Sequence, residues 1–156
     1  MKVLILGLGN PYRSDDGVGV AVARGFRSPC SDVDIKHLNG EATAIINAWE
    51  DYSHVIICDA ACAEGQAQTP FVAFQPLEEE GVLQKETHTS SHGFGLSEAI
   101  KLGKAVGQIP DEIFAIGIYG QNFAVGDSLS PQVVSVIPQV QKVIQSKLKE
   151  WGVANA

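Results

Sequence analysis

The chain has 156 residues, of which 45% are hydrophobic and 19% are charged. This length and composition are typical of one folded domain with a full core and exclude a disordered chain, so we expect a single domain over residues 1–156. The net charge of −7, from 11 Lys and Arg against 18 Asp and Glu, disfavours nucleic acid and anionic membranes as partners.

The cellular setting is expected to be cytoplasmic. No apolar run approaches the ~20 residues that a bilayer span requires, and the first apolar run is too short for the core of a signal peptide. Cys30, Cys58 and Cys62 are an odd number of cysteines, which disfavours a secreted disulfide scaffold. No exposed apolar stripe is evident, so we expect a monomer.

Strands and helices alternate along the chain. Buried strands are predicted at residues 2–8 and 54–58, with Asp59 ending the latter, and a half-exposed strand at residues 33–38. Ser14 or Asp15 is predicted to cap a first helix. A helix is then predicted over 42–49, a strand over 71–74 and a strand over 113–118. Between these two strands, a helix is predicted with one face made of Leu96, Ala99, Ile100, Gly103 and Val106. The last predicted helix begins at Ser130-Pro131 and is kinked at Pro138.

This alternation predicts βαβ units and a largely parallel sheet with helices on both faces. The prolines at positions 70 and 76 place the strand over 71–74 at an edge of the sheet. In sheets of this kind, ligands bind beyond the carboxyl ends of the strands. Polar residues at those ends are therefore the candidates for chemistry.

Three such residues are singled out by their places in the chain. Asp16 follows the first strand and its loop, Asp59 ends the third strand, and His92 lies where the next helix is predicted to begin. Two carboxylates and one imidazole suit a divalent first-row metal ion, whereas each residue alone is equally well explained as a cap or turn residue.

Three other sequence patterns are weaker indicators of function. Residues 7–12 begin like a dinucleotide-binding loop but lack the third glycine, so a tight turn explains them better. His88 and His92 are four residues apart, but the Ser and Thr residues between them form a poor helix. A Cys–His hydrolase using Cys62 and His92 remains an alternative without a visible activating group.

Four segments, taken in order, resemble the nickel–iron hydrogenase maturation endopeptidases. They are residues 5–10 (ILGLGN) with 14–20 (SDDGVGV), 56–60 (IICDA), 90–96 (SSHGFGL), and 116–118 (IGI) with 129–131 (LSP). The resemblance covers nearly the whole chain. It implies an α/β three-layer sandwich of the phosphorylase/hydrolase-like type, with a mostly parallel five-stranded sheet and helices on both faces.

The resemblance also implies a function. Members of the family remove a C-terminal extension from the hydrogenase large subunit after nickel insertion, and they engage the nickel through two acidic residues and a histidine. Carried onto this chain, those residues are Asp16, Asp59 and His92, which implies an aspartyl-type endopeptidase. The partner would be a nickel-loaded [NiFe]-hydrogenase large-subunit precursor, and no tightly bound cofactor is implied because the precursor supplies the nickel.

Some features depart from the family, and two rival functions remain. Residues 39–43 read NGEAT where members often carry an Asp-Gly-Gly-Thr run, and many members have glutamate at the position of Asp16. Residues 7–11 also match the opening of peptidyl-tRNA hydrolases, but no histidine follows soon after. A non-enzymatic nickel-binding chaperone or docking module could use the same three residues.

Overall fold

The computed structural model describes residues 1–63, 65–79 and 95–156. The strands and helices in chain order are β1 (Val3–Leu8), α1 (Val18–Gly25), β2 (Val33–Leu38), α2 (Ala42–Trp49), β3 (His54–Ala61), β4 (Phe71–Phe74), α3 (Gly95–Val106), β5 (Glu112–Tyr119) and α4 (Pro131–Glu150). A short 3-10 turn, Ser14–Gly17, leads into α1.

The five strands form one sheet in the order β2-β1-β3-β5-β4. β1 pairs in parallel with β2 and β3, β3 pairs in parallel with β5, and β4 runs antiparallel at the edge. The predicted fold class is confirmed, as is the edge position of residues 71–74. β1 is entirely buried, as expected for an apolar strand inside a parallel sheet.

Helices cover both faces of the sheet, and side chains alternate between the two cores. On one face α1 and α4 pack on residues such as Ile5, Ile56 and Cys58. On the other face α2 and α3 pack on residues such as Leu6 and Ile57. This gives the expected three layers. In the described part of the chain, no helix has the length and hydrophobicity of a membrane span.

The connections place a topological switch point between β1 and β3. The chain leaves β1 for β2 on one side and returns to β3 on the other. α1 approaches this point closely, because a Cβ on Gly19 would overlap the carbonyl oxygens of Cys58 and Leu8. The 3-10 turn before α1 is thereby held over the carboxyl ends of the two central strands, where ligands bind in folds of this type.

Several local predictions were wrong. Neither Ser14 nor Asp15 caps α1, because the N-cap is Gly17 and both residues lie in the preceding 3-10 turn. Val106, predicted to share a face with Leu96 and Ala99, is the last residue of α3 and is 56% exposed, whereas Leu96 and Ala99 are buried. Asp59 does not end its strand, because β3 continues to Ala61.

Candidate active site at the carboxyl edge of the sheet

Asp16 is held by the loop that follows β1. Its side chain is fully buried, and its Oδ2 accepts a hydrogen bond from the main-chain N–H of Asn10 at 2.9 Å. Gly9 adopts a φ of +134°, and a Cβ there would overlap the carbonyl oxygen of Asp16. Only glycine allows the loop to fold this tightly over the acidic residue, which explains the glycine between β1 and Asn10.

Asp59 lies near the carboxyl end of β3, on the sheet face that α2 and α3 cover. Its Oδ1 accepts a hydrogen bond from the N–H of Ala60 at 2.8 Å. Burial and the neighbouring Asp16 carboxylate raise the pKa of Asp59 well above its usual range, against the hydrogen bond from Ala60. The fold thus brings Asp16 and Asp59 together at the switch point.

His92, the third predicted member of the site, lies outside the described residues, as does His88. Two contacts locate the N-terminal end of α3. The helix begins at Gly95, where a Cβ would overlap the carbonyl oxygen of Gly40, just beyond β2. A cavity of about 20 Å³ is lined by Asp59 and by Leu96 in the first turn of α3. The N-terminal end of α3 therefore borders Asp59.

Within 1–63, 65–79 and 95–156, no three His, Cys, Asp or Glu side chains form a group that could hold a metal ion. Asp16 and Asp59 supply two of the three predicted ligands, and the third lies outside these ranges.

Asp15 has a different role from its neighbour and was not recognised as a site residue from the sequence. It is fully buried, and its carboxylate points to the segment between β5 and α4. Burial opposes its ionisation, but hydrogen bonds from Ser130, Gln121 and Asn122 outweigh this and lower its pKa. No local pattern indicates this contact, because its partners lie more than 100 residues away.

A cleft of about 680 Å³ opens at the same edge of the sheet. Its described lining comes from three places: the chain after β3 from Cys62 to Pro70, the chain after β5 around Gln121, and the first turns of α4, including Gln132 and Val136. β3 connects it to the acidic pair, since Cys62 lies three residues beyond Asp59 and so about 10 Å along an extended chain.

Two cysteines near the candidate site, Cys58 and Cys62, differ in burial. Cys58 is fully buried in β3, and burial together with Asp59 raises the pKa of its thiol to about 12. Cys58 is therefore a protonated thiol in the core at neutral pH and does not act as a nucleophile. Cys62 is only partly buried and lines the cleft.

The HycI model, described as hydrogenase maturation protease, matches residues 38–147. The chain belongs to this family. It is a hydrogenase maturation endopeptidase and therefore a hydrolase. This confirms the resemblance found in the sequence motifs and decides against both the peptidyl-tRNA hydrolase and the non-enzymatic module.

Relatives of this maturation protease agree in length and fold. The hydrogenase 2 maturation protease of Escherichia coli K12 is 22% identical over 156 residues, covering 98% of this chain and 94% of the relative. The structure of the endopeptidase HybD from E. coli has a TM-score of 0.82 at 20% identity, covering 97% of this chain and 94% of that one. HybD from Thermococcus kodakarensis has a TM-score of 0.69 at 25% identity, covering 94% and 98%.

Within residues 39–43 of the maturation protease, one side chain has a clear local role in the structure. The Glu41 carboxylate caps α2 by accepting a hydrogen bond from the Thr43 N–H at 3.3 Å. The Thr43 hydroxyl also donates to the same carboxylate. Glu41 thus stabilises the start of a helix that packs beside α3.

Proposed function

We propose that this protease removes the C-terminal extension of a nickel-loaded [NiFe]-hydrogenase large-subunit precursor, and that Asp16, Asp59 and His92 engage the nickel. The observation that carries the proposal is the pair of neighbouring carboxylates at the switch point between β1 and β3, with Asp16 fully buried and Asp59 half-buried. The sequence selects His92 as the third member, and it lies three residues before the end of α3 that borders Asp59.

The acidic pair has the electrostatics of a cation site. Burial and the Asp16 carboxylate both raise the pKa of Asp59, and a nearby cation would offset both effects and favour its charged form. Carboxylate oxygens and an imidazole nitrogen are suitable donors for a divalent first-row ion. Three protein ligands also leave coordination positions open for groups of the precursor.

Nickel in this scheme is part of the substrate. A precursor that carries nickel gains an anchor on the three side chains, and a precursor without nickel does not. The protease therefore distinguishes the two by their difference in affinity. Asp59 is also suited to exchange a proton with water or with the leaving amine, because its raised pKa brings the carboxyl group nearer to neutral pH.

The direct experiment is a processing assay with purified components. The wild-type protease is incubated with a nickel-loaded large-subunit precursor and, in parallel, with the same precursor prepared without nickel. We expect mass spectrometry to show loss of the C-terminal extension only from the nickel-loaded form. Equal cleavage of both forms, or of neither, would contradict the proposal.

The site residues are tested by alanine substitution. Asp16→Ala, Asp59→Ala and His92→Ala should each abolish processing, with rates reduced by on the order of a thousandfold, while the protein remains folded. Circular dichroism checks the fold and the processing assay checks the rate. Asp111→Ala is the control, since this acidic residue is exposed and lies just before β5, at the opposite edge of the sheet from Asp16 and Asp59. A wild-type rate in any folded site variant would remove that residue from the site.

We place the precursor's polypeptide in the 680 Å³ cleft, because it opens beyond β3 at the same edge as the acidic pair. Gln132→Trp would fill part of this cleft from the first turn of α4 and should raise KM for the precursor about tenfold with little change in kcat. Gln139→Trp is the matched control on the same helix, exposed and outside the cleft lining. Equal KM values for the two variants would place the polypeptide elsewhere.

A further inference from the structure

The Asp15 carboxylate binds the segment between β5 and α4 with four hydrogen bonds. The main-chain N–H groups of Gln121 and Asn122 donate to its Oδ2 at 2.8 and 2.9 Å. Ser130 donates its N–H to Oδ1 and its hydroxyl to Oδ2, both at 2.7 Å. A fully buried carboxylate is tolerated only with such partners, so these donors and Asp15 depend on each other.

Main-chain hydrogen bonds extend this contact in both directions. The N–H of Asp15 donates to the carbonyl of Asn122 at 2.9 Å, and the N–H of Ser14 donates to that of Gly126 at 2.9 Å. The N–H of Gly126 in turn donates to the carbonyl of Tyr12 at 2.9 Å. The turn that precedes α1 is therefore joined to residues 121–130 by main-chain hydrogen bonds at Tyr12, Ser14 and Asp15.

Asp16 lies in this same turn. Its N–H donates to the carbonyl of Arg13 at 3.1 Å, which closes the 3-10 turn. Its carboxylate accepts the hydrogen bond from the Asn10 N–H and lies near the Asp59 carboxylate. The two adjacent aspartates thus divide the work. Asp15 fastens the turn to the β5–α4 segment, and Asp16 forms the acidic pair with Asp59.

We propose that Asp15 is a positioning residue of the nickel site, which fixes the place of the Asp16 carboxylate by fastening its turn to residues 121–130. The inference rests on the proposed function. Small displacements of a ligating or reacting group are costly, since about 1 Å can reduce a rate a hundredfold. A second reading is that Asp15 serves only the cleft wall, because Gln121 and Gly120 also line the cleft.

The test compares three variants by Ni²⁺ affinity and by kinetics. Asp15→Asn keeps the size of the side chain but leaves at least one N–H donor facing an amide N–H. Ser130→Ala removes only the hydroxyl donor and is the milder variant should Asp15→Asn fail to fold. Tyr52→Phe is the control, because it removes a 2.6 Å hydrogen bond to the Asp34 carboxylate, away from the site. Calorimetry with Ni²⁺ alone measures affinity, at a temperature where circular dichroism shows each protein folded.

We expect Asp15→Asn to weaken Ni²⁺ binding and to lower kcat/KM for the nickel-loaded precursor, each by about tenfold or more. Ser130→Ala should change both in the same direction by about threefold, and Tyr52→Phe should change neither. A raised KM with unchanged Ni²⁺ affinity would overturn the proposal in favour of the cleft wall, while the proposed function would stand. Absence of Ni²⁺ binding and of processing in the wild type would overturn both.

Discussion

Replacing Asp59 with asparagine should stop processing and at the same time make the metal-free protein more stable. Burial and the Asp16 carboxylate raise the pKa of Asp59, so the folded chain must either hold a proton there or bear a negative charge beside that of Asp16. Asparagine has nearly the same shape, is never charged, and can still accept the hydrogen bond from the N–H of Ala60. The substitution therefore removes the electrostatic cost of the Asp59 charge, and it also removes the carboxylate that would bind nickel.

The expected effects can be given a size and a pH dependence. Processing should fall by on the order of a thousandfold. The free energy of unfolding at neutral pH should rise by about 1 kcal/mol or more, because one pKa unit corresponds to about 1.4 kcal/mol. Since the folded pKa lies above the unfolded one, the folded state binds the extra proton, and wild-type stability falls as the pH rises from about 4 through the folded pKa. The advantage of Asp59→Asn should widen over that range.

Denaturant unfolding of both proteins without metal, repeated from pH 4 upward, checks this result. Asp15→Asn provides a contrast of opposite sign. Its pKa is lowered by hydrogen bonds from Ser130, Gln121 and Asn122 despite burial, so its stabilisation is present above the unfolded pKa and is lost as the pH falls. Asp15→Asn should therefore be less stable than wild type at neutral pH. A destabilised Asp59→Asn would mean that the acidic pair is not under electrostatic strain.

The parts of this structure that were predictable are those fixed by periodicity and chain order. Apolar runs such as Val3–Leu8 indicate strands buried in a parallel sheet, and alternation with helices indicates the layers. The rule for ligand sites at strand ends then selects Asp16 and Asp59, whose proximity the structure shows. The third selected residue, His92, stays a prediction, because it lies outside the described residues.

The unpredicted features arise from contacts between distant segments. The capping rule considers only neighbours, and by that rule Asp15 is an ordinary N-cap. Its actual partners at 121, 122 and 130 come together only after β5 has been placed beside β3. Helical periodicity likewise places Val106 on the same face of α3 as Leu96 and Ala99, yet Val106 is the last residue of the helix and is 56% exposed. Tertiary placement decides both.

Gly95→Ala should damage both folding and processing. Gly95 opens α3, and a Cβ at this position would overlap the carbonyl oxygen of Gly40, a main-chain atom that has little freedom to move. The start of the helix must then shift away from the end of β2. We expect the free energy of unfolding to fall by about 2–3 kcal/mol, as is usual for an overpacked site.

A shift at the start of α3 should also disturb the candidate site, for two reasons. Leu96 borders Asp59 in the small cavity, and the chain immediately before α3 contains His92. Because misplacement of a reacting group by about 1 Å can cost a hundredfold in rate, kcat should fall by about a hundredfold in protein that is still folded. Glu98→Ala is the control, since this residue lies one turn further along α3 and is exposed. If folded Gly95→Ala processes the precursor as fast as Glu98→Ala, the start of α3 does not set the geometry of the site.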